Sequence, residues 1–203
     1  MTLLKPAVFL DRDGTVNEQM GYVNHISRFR LLPGVAVAIR ALNERQVPVV
    51  VATNQSGLAR GCFPASLLAE VHALMQRLLA GEGAHLDGIY VCPHHPEAKV
   101  ARYRLDCDCR KPKPGLLRQA AQDLGLDLAR SYMVGDRWID LRAGQAAGAK
   151  TILVRSGYGR GEEDYIGPHE DLQPDMRAED LAEAVAWILA DLMEVPRKPN
   201  SSE

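Results

Sequence analysis

The sequence predicts an α/β fold, a parallel sheet covered by helices on both faces. Three observations predict it. Short apolar runs of strand length alternate with segments whose apolar residues recur at helical spacing. The intervals between those runs leave room for right-handed crossovers. Polar clusters rich in Asp, Thr, Asn and Gly stand directly after several of the apolar runs, where open α/β sheets carry their chemistry.

The first strand is 7–10, Ala-Val-Phe-Leu. Asp11 and Asp13 follow it, and Gly14 allows a tight turn. Two like charges so close need a hard cation or a shared proton. The other reading is a strand ending in a polar Asp-Gly turn. Residues 14–34 form a long connection in which 22–29 reads as a small flap. Within this connection Asn17, Glu18, His25 and Arg28 are candidate substrate contacts or simply solvated loop residues.

Pro33-Gly34 announces a helix with Val35, Ala38, Ile39 and Leu42 on one face. Residues 47–52 read as a second strand, with Pro48 near its start. Thr53-Asn54-Gln55-Ser56-Gly57 follows, small hydroxyls and amides suited to a phosphoryl oxygen or to a helix cap. A helix over 64–79 begins at Pro64, with Leu67, Val71, Leu74, Met75 and Leu78 inward and His72 between core positions. Residues 86–91 are the third strand.

The segment from Cys92 to Arg110 is the most unusual. Cys92 and His94 form one close pair and Cys107 and Cys109 another, a set that zinc binds tetrahedrally. His95 competes with His94, and the spacing within Cys107–Cys109 favours His94. A disulfide from Cys92 to Cys107 or Cys109 is the rival. Cys62 stands apart and reads as buried or half-buried. The loop holds only Val100, Tyr103 and Leu105 as large apolar residues, so a metal clip would supply its order.

Arg110-Lys111-Pro112-Lys113-Pro114-Gly115 places three cations in four positions, suited to a phosphate or to a solvated basic turn. Lys113 is expected to face solvent. Pro114 starts a helix with Leu117, Ala120, Ala121 and Leu124, ended by Gly125. Residues 132–134 are a strand, followed by Asp136 and, four positions on, Asp140. These carboxylates fit a metal site or the favoured acidic end of a helix. Arg137 stands beside Asp136, where it could cover a substrate phosphate. Residues 151–154 are the fifth strand. Residues 155–177 read as an irregular loop, and its Gly157–Gly161 run is a weak phosphate cradle. Leu181, Val185, Ile188 and Leu192 mark a last helix.

Length and composition agree with this reading. The 203 residues suit one domain, 1–195, with 196–203 as a flexible polar tail. Hydrophobic residues are 46% and charged residues 25%, the ordinary globular balance. A net charge of −2 draws the chain to neither nucleic acid nor anionic lipid, and no apolar run is long enough to span a bilayer. Residues 1–6 lead into a strand without a signal-peptide core, so a cytoplasmic location is expected. The apolar stripes are all needed for the core, which favours a monomer.

Asp11-Xaa-Asp13-Gly14-Thr15, Thr53, Lys111 in Lys-Pro-Xaa-Pro-Gly, and Gly135-Asp136-Xaa-Xaa-Xaa-Asp140 resemble the four motifs of the haloacid dehalogenase-like (HAD) phosphohydrolases. The resemblance implies a Rossmann-like three-layer fold with strand order 3-2-1-4-5, bringing Asp136 beside Asp11 and Asp13. It implies Asp11 as nucleophile and Asp13 as acid/base, with Thr53 holding the phosphoryl group and Asn54 assisting. Lys111 would neutralise the phosphate and the nucleophile. Mg²⁺ would sit on the Asp11 and Asp136 side chains and the Asp13 backbone carbonyl, with Asp140 supporting Asp136 or Lys111. Neither the loop after strand 1 nor the segment after strand 3 is long enough for the large cap domain many members carry.

The zinc clip with its adjoining Arg110-Lys111 resembles a narrower family, the heptose-bisphosphate phosphatases, over about residues 5–190. That likeness implies a small phosphorylated sugar as substrate, held by Arg110, Lys111 and Arg137, where relatives carry lysine at the last position. The clip zinc would be structural. Histidinol-phosphate phosphatases have a similar clip with a shorter gap between its pairs. A polynucleotide 3′-phosphatase would want a basic, aromatic track, and here aromatics are 5% with a slightly negative charge.

Overall fold

Six strands form one parallel sheet in the order β3-β2-β1-β4-β5-β6 in the computed structural model, which describes residues 4–193. They are β1 (Val8–Leu10), β2 (Val49–Asn54), β3 (Gly88–Cys92), β4 (Tyr132–Gly135), β5 (Lys150–Val154) and β6 (Met176–Ala178). Central β1 pairs Val8 with Val49 on one side and with Tyr132 on the other. The order extends 3-2-1-4-5 by one edge strand. It sets the ends of β1 and β4 side by side, as the motif resemblance implied.

Alternation along the strands divides the apolar residues between two faces. Val8 and Leu10 join one core with α1 (Val35–Glu44), α3 (Ala65–Gly81) and α7 (Leu181–Met193). Ala7 and Phe9 join the other with α4 (Gly115–Leu124), through Leu116, Leu117 and Ala120. α5 (Trp138–Ala147) adds Trp138 and Leu141, packed on Leu153 and Leu172. Met75 and Leu79 on α3 are fully buried, each worth about 1.5–3 kcal/mol in transfer from water. Gly125 ends α4 in the left-handed region at φ 67°, as its place after the stripe suggests.

Several boundaries differ from the sequence reading. β2 continues through Thr53 and Asn54, so these two are strand residues. Pro64 is the extended residue before α3 and not part of its first turn. β6 lies in the stretch read as irregular, with Ala178 its one buried residue and so no apolar run to announce it. The glycine-rich stretch coils into the short α6 (Gly159–Gly161) and the turn Glu162–Ile166. After β2 comes the short α2 (Ser56–Ala59). Cys62, read from the sequence as buried or half-buried, is exposed, because Leu58 and Phe63 carry the apolar packing of its turn.

The connection after β1 carries the single turn Ile26–Arg28, and that after β3 carries Ala101–Tyr103, so neither holds a separate domain. Among the described residues no helix is long and apolar enough to cross a membrane. The expected tail, 196–203, lies outside the described residues.

Candidate active site

The backbone N–H of Asp11 donates to Val134 O (2.9 Å), so the carboxylate leaves the sheet where β1 and β4 end together. Lys111 reaches it from the turn before α4, with Nζ 2.8 Å from Asp11 Oδ1 and 2.6 Å from Asp140 Oδ1. Burial opposes the lysine's charge, but Asp11 and Asp140 outweigh it and push its pKa up to about 12. Asn54 fixes the lysine's backbone from the end of β2. Its Nδ2 donates to Lys111 O (3.0 Å), and its Oδ1 accepts from Lys111 N (3.1 Å). The Asn54 amide, expected to touch substrate, is thus already engaged with Lys111.

Asp136 follows β4 and is fully buried. Its Oδ2 accepts from Tyr158 N (2.8 Å), while its Oδ1 has no hydrogen-bond partner among the described residues. Burial, reinforced by the Asp11 and Asp140 carboxylates, pushes its pKa up to about 8. Asp11, Asp136 and Asp140 each offer an oxygen, all within 4.8 Å of one another. Hard oxygen donors, like charges and a buried oxygen without a partner fit a divalent cation such as Mg²⁺. Gly14 and Gly157, both at positive φ, close over this carboxylate. A Cβ at Gly14 would lie 2.0 Å from Asp136 Oδ2, and one at Gly157 2.2 Å. The stretch read as a weak phosphate cradle instead cradles Asp136.

Asp13 turns its carboxylate the other way. Arg12 Nη2 donates to both its oxygens (2.9 and 2.8 Å), Asn17 Nδ2 to Oδ1 (2.9 Å) and Gln55 Nε2 to Oδ2 (2.9 Å). Burial would raise this carboxyl, but the buried Arg12 guanidinium and these amides hold it below the usual range. Thr53 is buried, and its Oγ1 accepts from Gln55 Nε2 (3.0 Å). Nothing in the sequence alone assigns Arg12 or Gln55 a role. Arg12 occupies the variable place inside the Asp-Xaa-Asp motif, and Gln55 lay in a cluster that also reads as a cap.

Asp11, Asp13, Lys111 and Asp140 open into one pocket of about 330 Å³ that also has Arg110 and Arg137 on its wall. The connection after β1 contributes Gln19, Gly21, Tyr22 and Val23. The four polar candidates of this connection are engaged otherwise. Asn17 bonds Asp13, Glu18 N bonds Arg30 O, His25 bonds Ser27, and Arg28 bonds Asn24 and Met20 O.

The ligand atoms of Cys92, His94, Cys107 and Cys109 lie within 4.8 Å of one another, and all the cysteines are free. Sγ separations run from 3.0 to 3.5 Å, and His94 Nδ1 is 3.4 Å from Cys109 Sγ. His95, the rival imidazole, contacts Arg60 instead. Burial pushes the Cys92 and Cys109 thiols up, a penalty that a soft divalent cation would reverse. The clip also carries Arg110, whose Nη1 donates to His94 O (3.2 Å).

The sheet order, the paired aspartates after β1, the buried lysine and the acidic pair after β4 define a phosphohydrolase of the HAD class. A HAD-hydrolase-like family model matches residues 108–184. The D-glycero-β-D-manno-heptose-1,7-bisphosphate 7-phosphatase of Escherichia coli K12 is 42% identical over 193 residues, 95% of this chain and 92% of that one. Its namesake from Yersinia pestis is 49% identical over 158 residues, 77% of this chain and 84% of that one. Among solved structures, the D,D-heptose 1,7-bisphosphate phosphatase of B. bronchiseptica, complexed with magnesium and phosphate, superposes with a TM-score of 0.81 at 38% identity. That match covers 92% of this chain and 99% of the other. The Burkholderia thailandensis enzyme gives 0.67 at 30% identity, with the same coverage. The chain belongs to the D-glycero-β-D-manno-heptose-1,7-bisphosphate 7-phosphatase family of the HAD-like hydrolases.

Proposed function

We propose that this protein hydrolyses the 7-phosphate of D-glycero-D-manno-heptose 1,7-bisphosphate and leaves the 1-phosphate in place. The observation that carries the reading is the Asp11–Lys111 pair at the base of a pocket whose wall holds two further arginines, Arg110 and Arg137. The names of the relatives at 42–49% identity support the sugar.

Asp11 attacks phosphorus in line, the bond to the sugar O7 breaks, and an aspartyl-phosphate forms. Lys111 holds charge on the nucleophile's side and lessens its repulsion from the incoming phosphate. Asp13 takes up a proton as the anionic substrate enters beside it, against the pull of Arg12, gives it to O7, and then takes one from the water that opens the acyl phosphate, releasing inorganic phosphate and the heptose 1-phosphate. Thr53 and nearby backbone N–H groups hold the equatorial oxygens. The Asp11 and Asp136 side chains and the Asp13 backbone carbonyl would hold Mg²⁺, which would supply charge neutralisation at the phosphate. Asp140 steadies Lys111. Cys92, His94, Cys107 and Cys109 would supply zinc with four protein ligands, the donor set of a structural site. Reduced thiols of this kind suit the cytoplasm, and the enzyme works as a monomer.

The test compares kcat/KM for the heptose bisphosphate, histidinol phosphate, fructose 1,6-bisphosphate and a 3′-phosphorylated oligonucleotide. NMR identifies which phosphate leaves the heptose, and mass spectrometry of trapped enzyme locates the phosphoryl group. The expected result is preference for the heptose bisphosphate, loss of the 7-phosphate and a label on Asp11. Preference for histidinol phosphate or the oligonucleotide would overturn the substrate, and a label on serine or histidine would overturn the mechanism.

A further inference from the structure

Arg137 meets the pocket with its guanidinium held from behind. Its Nε donates to Glu162 Oε1 (3.1 Å), and the other carboxylate oxygen accepts from Trp138 N at the start of α5 (2.9 Å). Glu162 is thereby fixed at both oxygens. Trp138 Nε1 donates to the backbone O of Glu162 (2.9 Å), which pins the residue's main chain as well. The Tyr158 ring lies 5.6 Å from the Arg137 guanidinium carbon, close enough for a cation–π contact, and Tyr158 itself lines the pocket. The Nε hydrogen bond uses the inner edge of the guanidinium. The two terminal nitrogens, the fork that grips phosphate oxygens in pairs, have no hydrogen bond to protein among the described residues.

The same short segment reaches the acidic cluster after β1 and β4. Ser156 Oγ donates to Gly14 O (2.6 Å), and Tyr158 N holds Asp136 Oδ2 (2.8 Å). The segment from Ser156 to Glu162 thus ties the reacting end of the pocket to Arg137. We infer that Glu162 and Tyr158 are positioning residues for substrate choice, orienting Arg137 so that its fork receives the second, non-reacting phosphate of a sugar bisphosphate. This rests on the reading of Arg137 given above and adds the parts that aim it.

The test is the discrimination ratio, kcat/KM for the heptose bisphosphate divided by that for phenyl phosphate, which has no second anionic group. Glu162→Gln keeps an acceptor for Trp138 N and removes the charge behind Arg137. It should lower the ratio about two- to fivefold, through KM for the bisphosphate, the size of one partly exposed charge pair. In an Arg137→Ala background the same substitution should change the ratio no further. Tyr158→Phe should keep the ratio and Tyr158→Ala should lower it, while the backbone N–H that holds Asp136 remains in both. The inference is overturned if Glu162→Gln depresses both substrates equally, if its effect is undiminished without Arg137, or if Arg137→Ala leaves the ratio intact. A wild-type enzyme with no preference for the bisphosphate would instead strike the proposed substrate, a result visible before any variant is made.

Discussion

Lys111 Nζ lies 2.8 Å from Asp11 Oδ1 in a site where the lysine is 2% exposed. One ammonium serves both this carboxylate and Asp140, while Asp136 adds a third acid within reach. Replacing the lysine with methionine keeps much of its length and removes the cation in direct contact with Asp11. Lys111→Met should lower kcat/KM by about a hundredfold or more, as loss of a single charge-stabilising donor does elsewhere. It should also destabilise the fold by about 3–5 kcal/mol, because buried carboxylates lose their partner. Thermal unfolding with and without Mg²⁺ checks the second part. The loss should shrink when Mg²⁺ is present, and equal losses would argue against a cation site on these acids.

The two metal sites should separate by chemistry. Protein purified without added metal should contain about one zinc per chain, held by the closed thiolate–imidazole set. Mild EDTA dialysis should abolish activity, and Mg²⁺ should restore it. Asp136→Asn should cut Mg²⁺ affinity without loss of zinc. Cys107→Ser should lose zinc and disorder 92–109. Zinc-free protein with a Cys92–Cys107 or Cys92–Cys109 disulfide would refute the clip.

What the sequence conveyed follows from locality. The stripe of α1 and the acids after β1 and β4 are patterns over a few residues, and the structure keeps both. The bond pair between Asn54 and Lys111 joins residues 57 positions apart, and no local spacing encodes it. Arg12 looked like a free choice inside its motif because the three groups it organises, Asp13, His72 and indirectly Gln55, meet only in the fold. Gly157, three residues past β5, is a plain turn glycine in sequence, but its reason is the Asp136 carboxylate packed against it. The flap wall came out differently from the four polar candidates because backbone turns, and not polarity, decide which residues face the pocket.

His72 supplies a pH prediction. Its Nε2 lies 3.2 Å from Arg12 Nη1, so that ring nitrogen accepts and the imidazole is neutral. Burial, then the Arg12 charge, lowers its pKa to about 4, only partly offset by Asp13. The unfolded chain takes up this proton near pH 6.5. Between these values the unfolded state binds more protons, so stability falls as pH falls from about 6.5 towards 4. His72→Gln keeps a neutral acceptor that does not titrate. Urea midpoints for the two proteins should run parallel above pH 7 and diverge below 6.5, with wild type losing more. Parallel curves throughout would show that the contact with Arg12 does not set the ring's protonation.

The last prediction concerns Arg110, which the clip holds through His94 O and which shares the pocket wall with Arg137. In the proposed reaction, Lys111 and a cation on the acids would already serve the reacting phosphate. This pair of arginines would be surplus for a monophosphate with a cationic tail, such as histidinol phosphate. They are useful if the substrate carries another anionic group, since the guanidinium fork matches phosphate oxygens. Arg110→Ala should therefore weaken turnover of the heptose bisphosphate by roughly ten- to a hundredfold, the equivalent of one charge-assisted contact of about 1.5–3 kcal/mol. Phenyl phosphate should suffer far less. Cys107→Ser, which frees the loop carrying Arg110, should shift the same ratio in the same direction with Arg110 still present. If the clip variant instead slowed both substrates alike while Arg110→Ala spared the bisphosphate, the clip would be a purely structural device, and the second phosphate would have to be held by Arg137 alone.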